Sequence, residues 1–171
     1  MRHACAAALV ALGIILSVQG SSAAVPKPLT AGLPAPLFMR ADLTGRPVDL
    51  KAYRGKVVLL DFWASWCAPC IVEIPHLIAL QKTYGPRGLQ VIGVSMDDSP
   101  DPVKTVMKRY AFDYPVLLGN AKFGDLYGGI YGLPVRFLVG PNGKILQLWK
   151  GELDPHVLDR AVRSALKLQM Q

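Results

Sequence analysis

Val57-Val58-Leu59-Leu60-Asp61-Phe62-Trp63-Ala64-Ser65-Trp66-Cys67-Ala68-Pro69-Cys70 is the stretch on which the reading of this chain turns. Together with Lys56 its first half, to Trp63, contains Val57-Val58-Leu59-Leu60, a continuous apolar run, with Asp61 inside the otherwise apolar strand. A run that is apolar at successive positions, not at alternate ones, suits a strand covered on both faces, as in a parallel or mixed sheet. From Pro69 to Tyr84 the spacing becomes helical, with Ile71, Ile74, Leu77, Ile78 and Leu80 apolar. Pro75 falls inside this helix and is expected to kink it, because proline lacks the backbone donor and crowds the preceding turn. Two cysteines separated by two residues therefore lie where a buried strand hands over to a helix.

Working outward, Leu43-Thr44-Gly45-Arg46-Pro47 reads as a turn between two short extended pieces. Gly88 precedes a second buried strand, Gln90 to Ser95. Pro102 to Tyr110 reads as a helix, Val116-Leu117-Leu118 as a short strand, and Lys122 to Tyr127 as a short helix. Arg136 to Val139 and Lys144 to Trp149 form a hairpin closed at Pro141-Asn142-Gly143. Asp154 caps a last helix with Pro155 in its first turn, running to about Leu168. The order β-β-α-β-α-β-α-β-β-α implies an α/β fold, a central sheet with helices on both sides.

Ahead of this domain lies an address. Met1-Arg2-His3 is followed by fifteen uncharged residues, Ala4 to Val18, and then by Ser21-Ser22-Ala23-Ala24. This is the pattern of a secretory signal over residues 1–24, cleaved after Ala23 or Ala24, or else kept as an N-terminal anchor. Cys5 belongs to that segment. Residues 25–36 carry Pro26, Pro28, Pro34 and Pro36 and read as an extended leader, with one domain over residues 37–171. Exported proteins reach an oxidising compartment, where a cysteine pair tends to become a disulfide. Periplasmic or equivalent extracytoplasmic residence is therefore expected, with membrane association through the N-terminus if the segment is retained.

Composition removes several classes. The chain has 171 residues, 51% of them hydrophobic, which is enough for a packed core. Three cysteines are too few for a disulfide-stapled miniprotein of this length. The net charge is +7, and removal of residues 1–24 lowers it by one. Lys104, Lys108 and Arg109 fit one face of a helix, but no basic block or aromatic-interleaved basic stripe occurs, so no nucleic-acid partner is expected.

The cysteines carry the chemistry. Cys67 falls at a helix start, where backbone N–H groups lack helical partners and the helix dipole is positive. Both effects favour a thiolate; cysteines so placed have pKa values of about 3.5–7.5 against about 8.5 for a free thiol. Cys70, one turn on, is shielded. That division suits thiol–disulfide exchange, with Cys67 attacking a client disulfide and Cys70 resolving the mixed disulfide. A purely structural disulfide over so short a loop constrains little chain. A zinc site needs about four ligands, and only His76 and His156 remain to supplement the pair.

The quoted stretch resembles the active-site segment of thioredoxins, and the chain from 37 to 168 resembles the TlpA/ResA branch of extracytoplasmic thioredoxin-like proteins, which includes cytochrome c maturation reductants. The features shared are Gly45-Arg46-Pro47-Val48-Asp49-Leu50, Ile71-Val72-Glu73-Ile74-Pro75 after Cys70, and an insert over about Asp97 to Leu118. The resemblance implies a thioredoxin fold: a central mixed β-sheet flanked by helices, an N-terminal β-hairpin and an inserted helix-strand element. It implies a redox-active Cys67–Cys70 disulfide and no cofactor or metal. It makes Pro134 a cis proline beside the cysteines, with Leu133 offering its backbone to a client strand. Trp66 belongs to the rim of the site. Asp61 matches the buried acid of thioredoxins, a candidate proton carrier for Cys70 through water, and Glu73 is a second acid near the pair.

A threonine commonly follows the family's proline, whereas this chain has Val135 and then Arg136, expected either to favour acidic partners or to face solvent. Disulfide-containing proteins such as apocytochrome c or copper-site proteins are the implied clients, with a DsbD/CcdA-type membrane thiol donor as the source of electrons. Two other readings share the fold. A peroxidase would carry Thr or Ser three residues before the attacking cysteine, where this chain has Ala64. A copper-binding chaperone would space its cysteines three apart and use a distant histidine.

Overall fold

The strand at the centre of the molecule has no solvent-facing side. In the computed structural model, which describes residues 26–168, Val57–Trp63 is buried at every position. Two antiparallel strands precede it, β1 (Met39–Ala41) and β2 (Pro47–Asp49), followed by a 3-10 turn, Leu50–Tyr53. The central strand is β3. After it come α1 (Ala68–Tyr84), β4 (Leu89–Ser95), α2 (Pro100–Tyr110), β5 (Val116–Leu118), α3 (Ala121–Leu126), β6 (Val135–Val139), β7 (Ile145–Lys150) and α4 (Pro155–Leu168). Five strands form one mixed sheet in the order β5-β4-β3-β6-β7. β4 runs parallel to β3 and β5, whereas β6 is antiparallel to β3 and to β7.

Alternation along β3 sorts its side chains onto two cores. Leu59 and Trp63 join Ile74 and Leu77 of α1, Val103 of α2 and Leu158 and Val162 of α4. Val58, Leu60 and Phe62 join Phe123 of α3 and Phe38, Tyr127 and Phe137 on the other side. The second core is largely aromatic, with Phe38 edge-on to Phe123 at 5.0 Å and Phe62 tilted against Tyr127 at 5.2 Å. Such pairs add to the energy of burial when their edges meet faces.

The expected mixed sheet, N-terminal hairpin and inserted helix-strand element (α2 and β5) are all present. Three strands, not two, precede the first long helix. The hairpin closes on itself and stays outside the main sheet, so β3 is an additional element in the order. Pro75 lies within an unbroken α1, near its exposed side, where the lost donor is best tolerated. The signal segment, with Cys5, lies outside the described residues. Among those described, no helix is long and apolar enough to cross a membrane.

The leader departs from expectation. Its distal half is stitched to the sheet and does not stand off as a spacer. Gly32 donates to the Ile145 carbonyl at 2.8 Å, Ile145 donates to Leu33 at 2.8 Å, and Ala35 donates to Gly143 at 2.9 Å. Ala35 is buried, and the Tyr127 hydroxyl donates to the Pro36 carbonyl at 2.7 Å. A boundary at residue 37 therefore cuts through packed chain. A protein beginning at Leu37 is expected to be less stable than one beginning at Val25 by about 2–4 kcal/mol, at about 1 kcal/mol per hydrogen bond lost. Urea unfolding of the two forms measures the difference.

Candidate active site

β3 ends at Trp63, and the chain has four residues in which to become a helix. Ser65 is held by Asp97 through two bonds, its N–H donating to Oδ2 at 2.9 Å and its hydroxyl to Oδ1 at 2.5 Å. Asp97 is itself buried and accepts the Ser95 hydroxyl at 2.7 Å. This cluster ties the turn to the end of β4. The Cys67 N–H donates to the Ala64 carbonyl at 3.1 Å, and Cys67 becomes the N-cap of α1 with extended backbone, φ −86° and ψ 97°. Pro69 occupies the first turn, where its missing donor costs nothing.

Cys67 and Cys70 are joined as a disulfide, with Cα atoms 5.3 Å apart. The Cys70 N–H donates to Cys67 Sγ at 3.3 Å. In the dithiol that same donor and the helix dipole act on a Cys67 thiolate, as a side-chain oxygen is served at an ordinary N-cap. Cys67 keeps 6% of its surface and Cys70 3%, so neither sulfur is freely exposed.

A loop from α3 to β6 faces this turn. The Leu133–Pro134 bond is cis, and Leu133 packs against the core group that includes both cysteines. Trp66, 69% exposed, and Tyr131, 82% exposed, line a cleft of about 290 Å³ together with Leu133, Ile130 and Met96. The Tyr131 ring lies over Gly129, whose φ is +85°; a Cβ there would sit 2.4 Å from the ring. The positive φ favours glycine at this position, and the exposed ring would have to swing aside for any side chain there. Trp63, by contrast, is fully buried and stacks on Phe112 at 5.7 Å.

A cluster of charge joins β3, β6 and α1. Asp61 of β3 and Arg136 of β6 are directly paired across the antiparallel ladder. Arg136 Nε lies 3.1 Å from Asp61 Oδ1, and its Nη2 meets Glu73 Oε2 on α1. Glu73 Oε1 accepts the Leu153 N–H at 3.2 Å, and Arg136 Nη1 donates to the Gly151 carbonyl at 3.4 Å. Arg136 is 1% exposed. It therefore neither faces solvent nor meets partners, contrary to both expectations, because two carboxylates need a buried cation between them. The signal for it was in the sequence: one charged residue in each of two otherwise apolar strands is unstable unless the two meet. Tyr131 and Asp97 carried no comparable signal.

The environment sets the acid strength of Asp61. Burial pushes its carboxyl up to about 6, against the opposing pull of the Arg136 guanidinium. Burial likewise pushes the guanidinium down while Asp61 holds it up. Burial drives the Tyr114 hydroxyl well above its usual range, with the charge of Asp61 adding to the effect.

The family model described as AhpC/TSA matches residues 31–148. The chain is 34% identical over 134 residues to the thiol-disulfide oxidoreductase ResA of Bacillus thuringiensis subsp. konkukian, covering 77% of this chain and 76% of that protein. It is 32% identical over 126 residues to ResA of Bacillus subtilis, covering 73% and 70%. Among solved structures, a thiol:disulfide interchange protein of the thioredoxin family from Chlorobium tepidum TLS superposes with a TM-score of 0.74 at 31% identity, covering 78% of this chain and 96% of that one. A thiol:disulfide interchange protein from a Bacteroides species gives 0.70 at 29% identity, covering 81% and 91%.

The acidity of Asp61 has a measurable consequence. Unfolded, its carboxyl returns to its ordinary value of 3.8. Between about pH 4 and pH 6 the folded protein holds the extra proton, so stability falls as pH rises through that window. The loss is on the order of 3 kcal/mol. Urea unfolding of the disulfide form across pH 4–8 is expected to show it, and Asp61→Asn is expected to remove that slope.

Proposed function

The chain belongs to the AhpC/TSA family and, within it, to the ResA-type thiol-disulfide oxidoreductases, and from that premise we propose that it works outside the cytoplasm as a reductant of client-protein disulfides. The observation that carries this reading is Cys67 at the N-cap of α1, its sulfur receiving the Cys70 N–H, beside the cis Leu133–Pro134 bond. Cys67 takes the cap position and keeps slightly more surface than Cys70, which lies one turn along the helix.

The Cys67 thiolate attacks a client disulfide, forming a mixed disulfide and releasing one client sulfur, which takes a proton from water. Cys70 gives its proton to Asp61 through an intervening water. Its thiolate attacks Cys67 Sγ, the second client sulfur leaves, and two electrons have passed to the client. An Asp61 carboxyl that titrates near neutrality suits this transfer. Glu73 holds the charge cluster under α1. Trp66 forms the rim on which the client rests, and the Leu133 backbone pairs with the client strand while Pro134 faces the sulfurs. The oxidised pair is then recharged by a membrane thiol donor of the DsbD/CcdA type. Apocytochrome c and copper-site proteins are the clients proposed. Retention of the N-terminal segment would keep the domain at the membrane where that donor resides.

A peroxidase on this fold needs a hydroxyl three residues ahead of the attacking cysteine, and Ala64, fully buried, offers none. Insulin reduction tests the activity: Cys67→Ser is expected to abolish it, and Cys70→Ser to accumulate mixed disulfides that mass spectrometry identifies. Peroxide consumption matching the insulin rate would overturn the reading. Equilibration with glutathione is expected to give a potential well below about −200 mV. A value near about −120 mV would instead mark an oxidant.

A further inference from the structure

Asp97 is a buried acid that no step of the exchange uses. It follows the end of β4 and is 6% exposed. We propose that Asp97 is the positioning residue of the nucleophile: through Ser65 it holds the turn ahead of α1, so that a free Cys67 sulfur stays at the helix cap on the Cys70 N–H. The inference rests on the reading of Cys67 as the attacking sulfur and goes beyond it, by naming what keeps that sulfur in place once the disulfide is open.

The carboxylate is spent mostly on one residue. Oδ2 accepts the Ser65 N–H at 2.9 Å and the Ser95 hydroxyl at 2.7 Å, and Oδ1 accepts the Ser65 hydroxyl at 2.5 Å. The Asp97 N–H donates back to Ser95 Oγ at 3.1 Å. Ser65 is thereby held at backbone and side chain by a residue 32 positions away. Two residues on, the Cys67 N–H closes onto the Ala64 carbonyl at 3.1 Å, and the Met96 N–H, next to Asp97, donates to the Trp63 carbonyl at 2.8 Å. The turn from Trp63 to Cys67 is thus tied along its length. Among the described residues no lysine or arginine forms an ion pair with Asp97. A buried carboxylate served by neutral donors alone is a costly way to close a turn, and its bonds end on the residue two before the nucleophile.

In the disulfide form the S–S bond itself fixes Cys67 against Cys70. Reduction removes that tether, and the Cys67 sulfur then keeps its place through the chain that leads to it. Loss of the Asp97–Ser65 bonds therefore bears on the dithiol more than on the disulfide. Asp97→Ala is expected to slow attack of the dithiol on oxidised glutathione by about tenfold. It is also expected to shift the equilibrium with glutathione about tenfold towards the protein disulfide, a potential about 30 mV lower. Asp97→Asn keeps the geometry without the charge. Its carbonyl oxygen accepts the Ser65 N–H and the Ser95 hydroxyl, and its amide donates to Ser65 Oγ. Its rate and potential are expected to stay close to wild type. Ser65→Ala keeps the N–H bond alone and is expected to fall between the two. A role in folding alone destabilises both redox forms together and leaves the potential where it was.

The experiment equilibrates the full chain and these three variants with glutathione, follows stopped-flow oxidation of each dithiol by oxidised glutathione, and measures urea unfolding of both redox forms. A lowered rate and potential in Asp97→Ala, restored in Asp97→Asn, support the proposal. Equal destabilisation of both forms with rate and potential unmoved overturns it. An Asp97→Asn that behaves like Asp97→Ala also overturns it, because the effect then belongs to the charge and not to the position. If Asp97→Ala does not fold, Ser65→Ala carries the test, and an unmoved rate and potential there overturn the proposal. Iodoacetamide labelling of the wild-type dithiol keeps the underlying reading separate. Labelling at Cys70 ahead of Cys67 removes the nucleophile assignment and the proposal with it. Labelling at Cys67 without a response to the variants leaves that assignment standing and removes the role of Asp97 alone.

Discussion

β3 is covered on both faces, so any polar side chain it carries must find a partner inside the protein. Leaving a buried carboxylate unpaired costs several kcal/mol. Asp61 is that side chain. Its presence dictates a cation on the neighbouring strand at the facing position, which is Arg136. A guanidinium has more donors than one carboxylate can use, so it reaches on to Glu73 of α1 and to the Gly151 carbonyl. Two strands, the redox helix and the connection into α4 are thereby joined at one buried point. Glu73 lies three residues after Cys70, so the helix that begins at the cysteine pair is tied to this framework.

The surface of the site follows a different logic from its floor. Below, charge is enclosed and fixed; above, large apolar groups are left out in water. Trp66 and Tyr131 are among the most exposed hydrophobic side chains of the described residues, and both border the cleft beside the cis proline. The tip of the Tyr131 ring comes close to Gly129, where a side chain would crowd it. Exposed aromatic side chains of this kind offer contact area at low cost in side-chain entropy. The cysteines themselves show little surface, and the exposed area around them is largely that of the aromatic rim.

Much of this was legible in the sequence. The apolar run of β3, the cysteine spacing and Pro69 specify a buried strand feeding a capped helix, and helical spacing located α1, α2 and α4 nearly to their ends. The charge cluster was half legible. Asp61 stood out within an apolar run, and Glu73 was placed one turn from Cys70. Arg136 stands at the start of a strand in the sequence reading, which leaves open the face its side chain takes; β6 begins at Val135, and position 136 pairs with Asp61 and turns inward. Strand alternation alone does not say which strand will lie opposite, and the Asp61–Arg136 pairing depends on a sheet order that only tertiary structure reveals. The leader was misread for a related reason. Proline content signals an extended chain, but extended chain is also what an open sheet edge binds.

That last point bears on what the sheet leaves available to other molecules. β7 lies at one margin of the sheet, and unpaired strand margins invite pairing with foreign chains. Residues 32–35 occupy the start of that margin through Ile145 and Gly143. Pro34 and Pro36, lacking backbone donors, cannot pass the ladder on to another strand. The leader thus occupies the Ile145 end of that margin, where an added strand would otherwise pair.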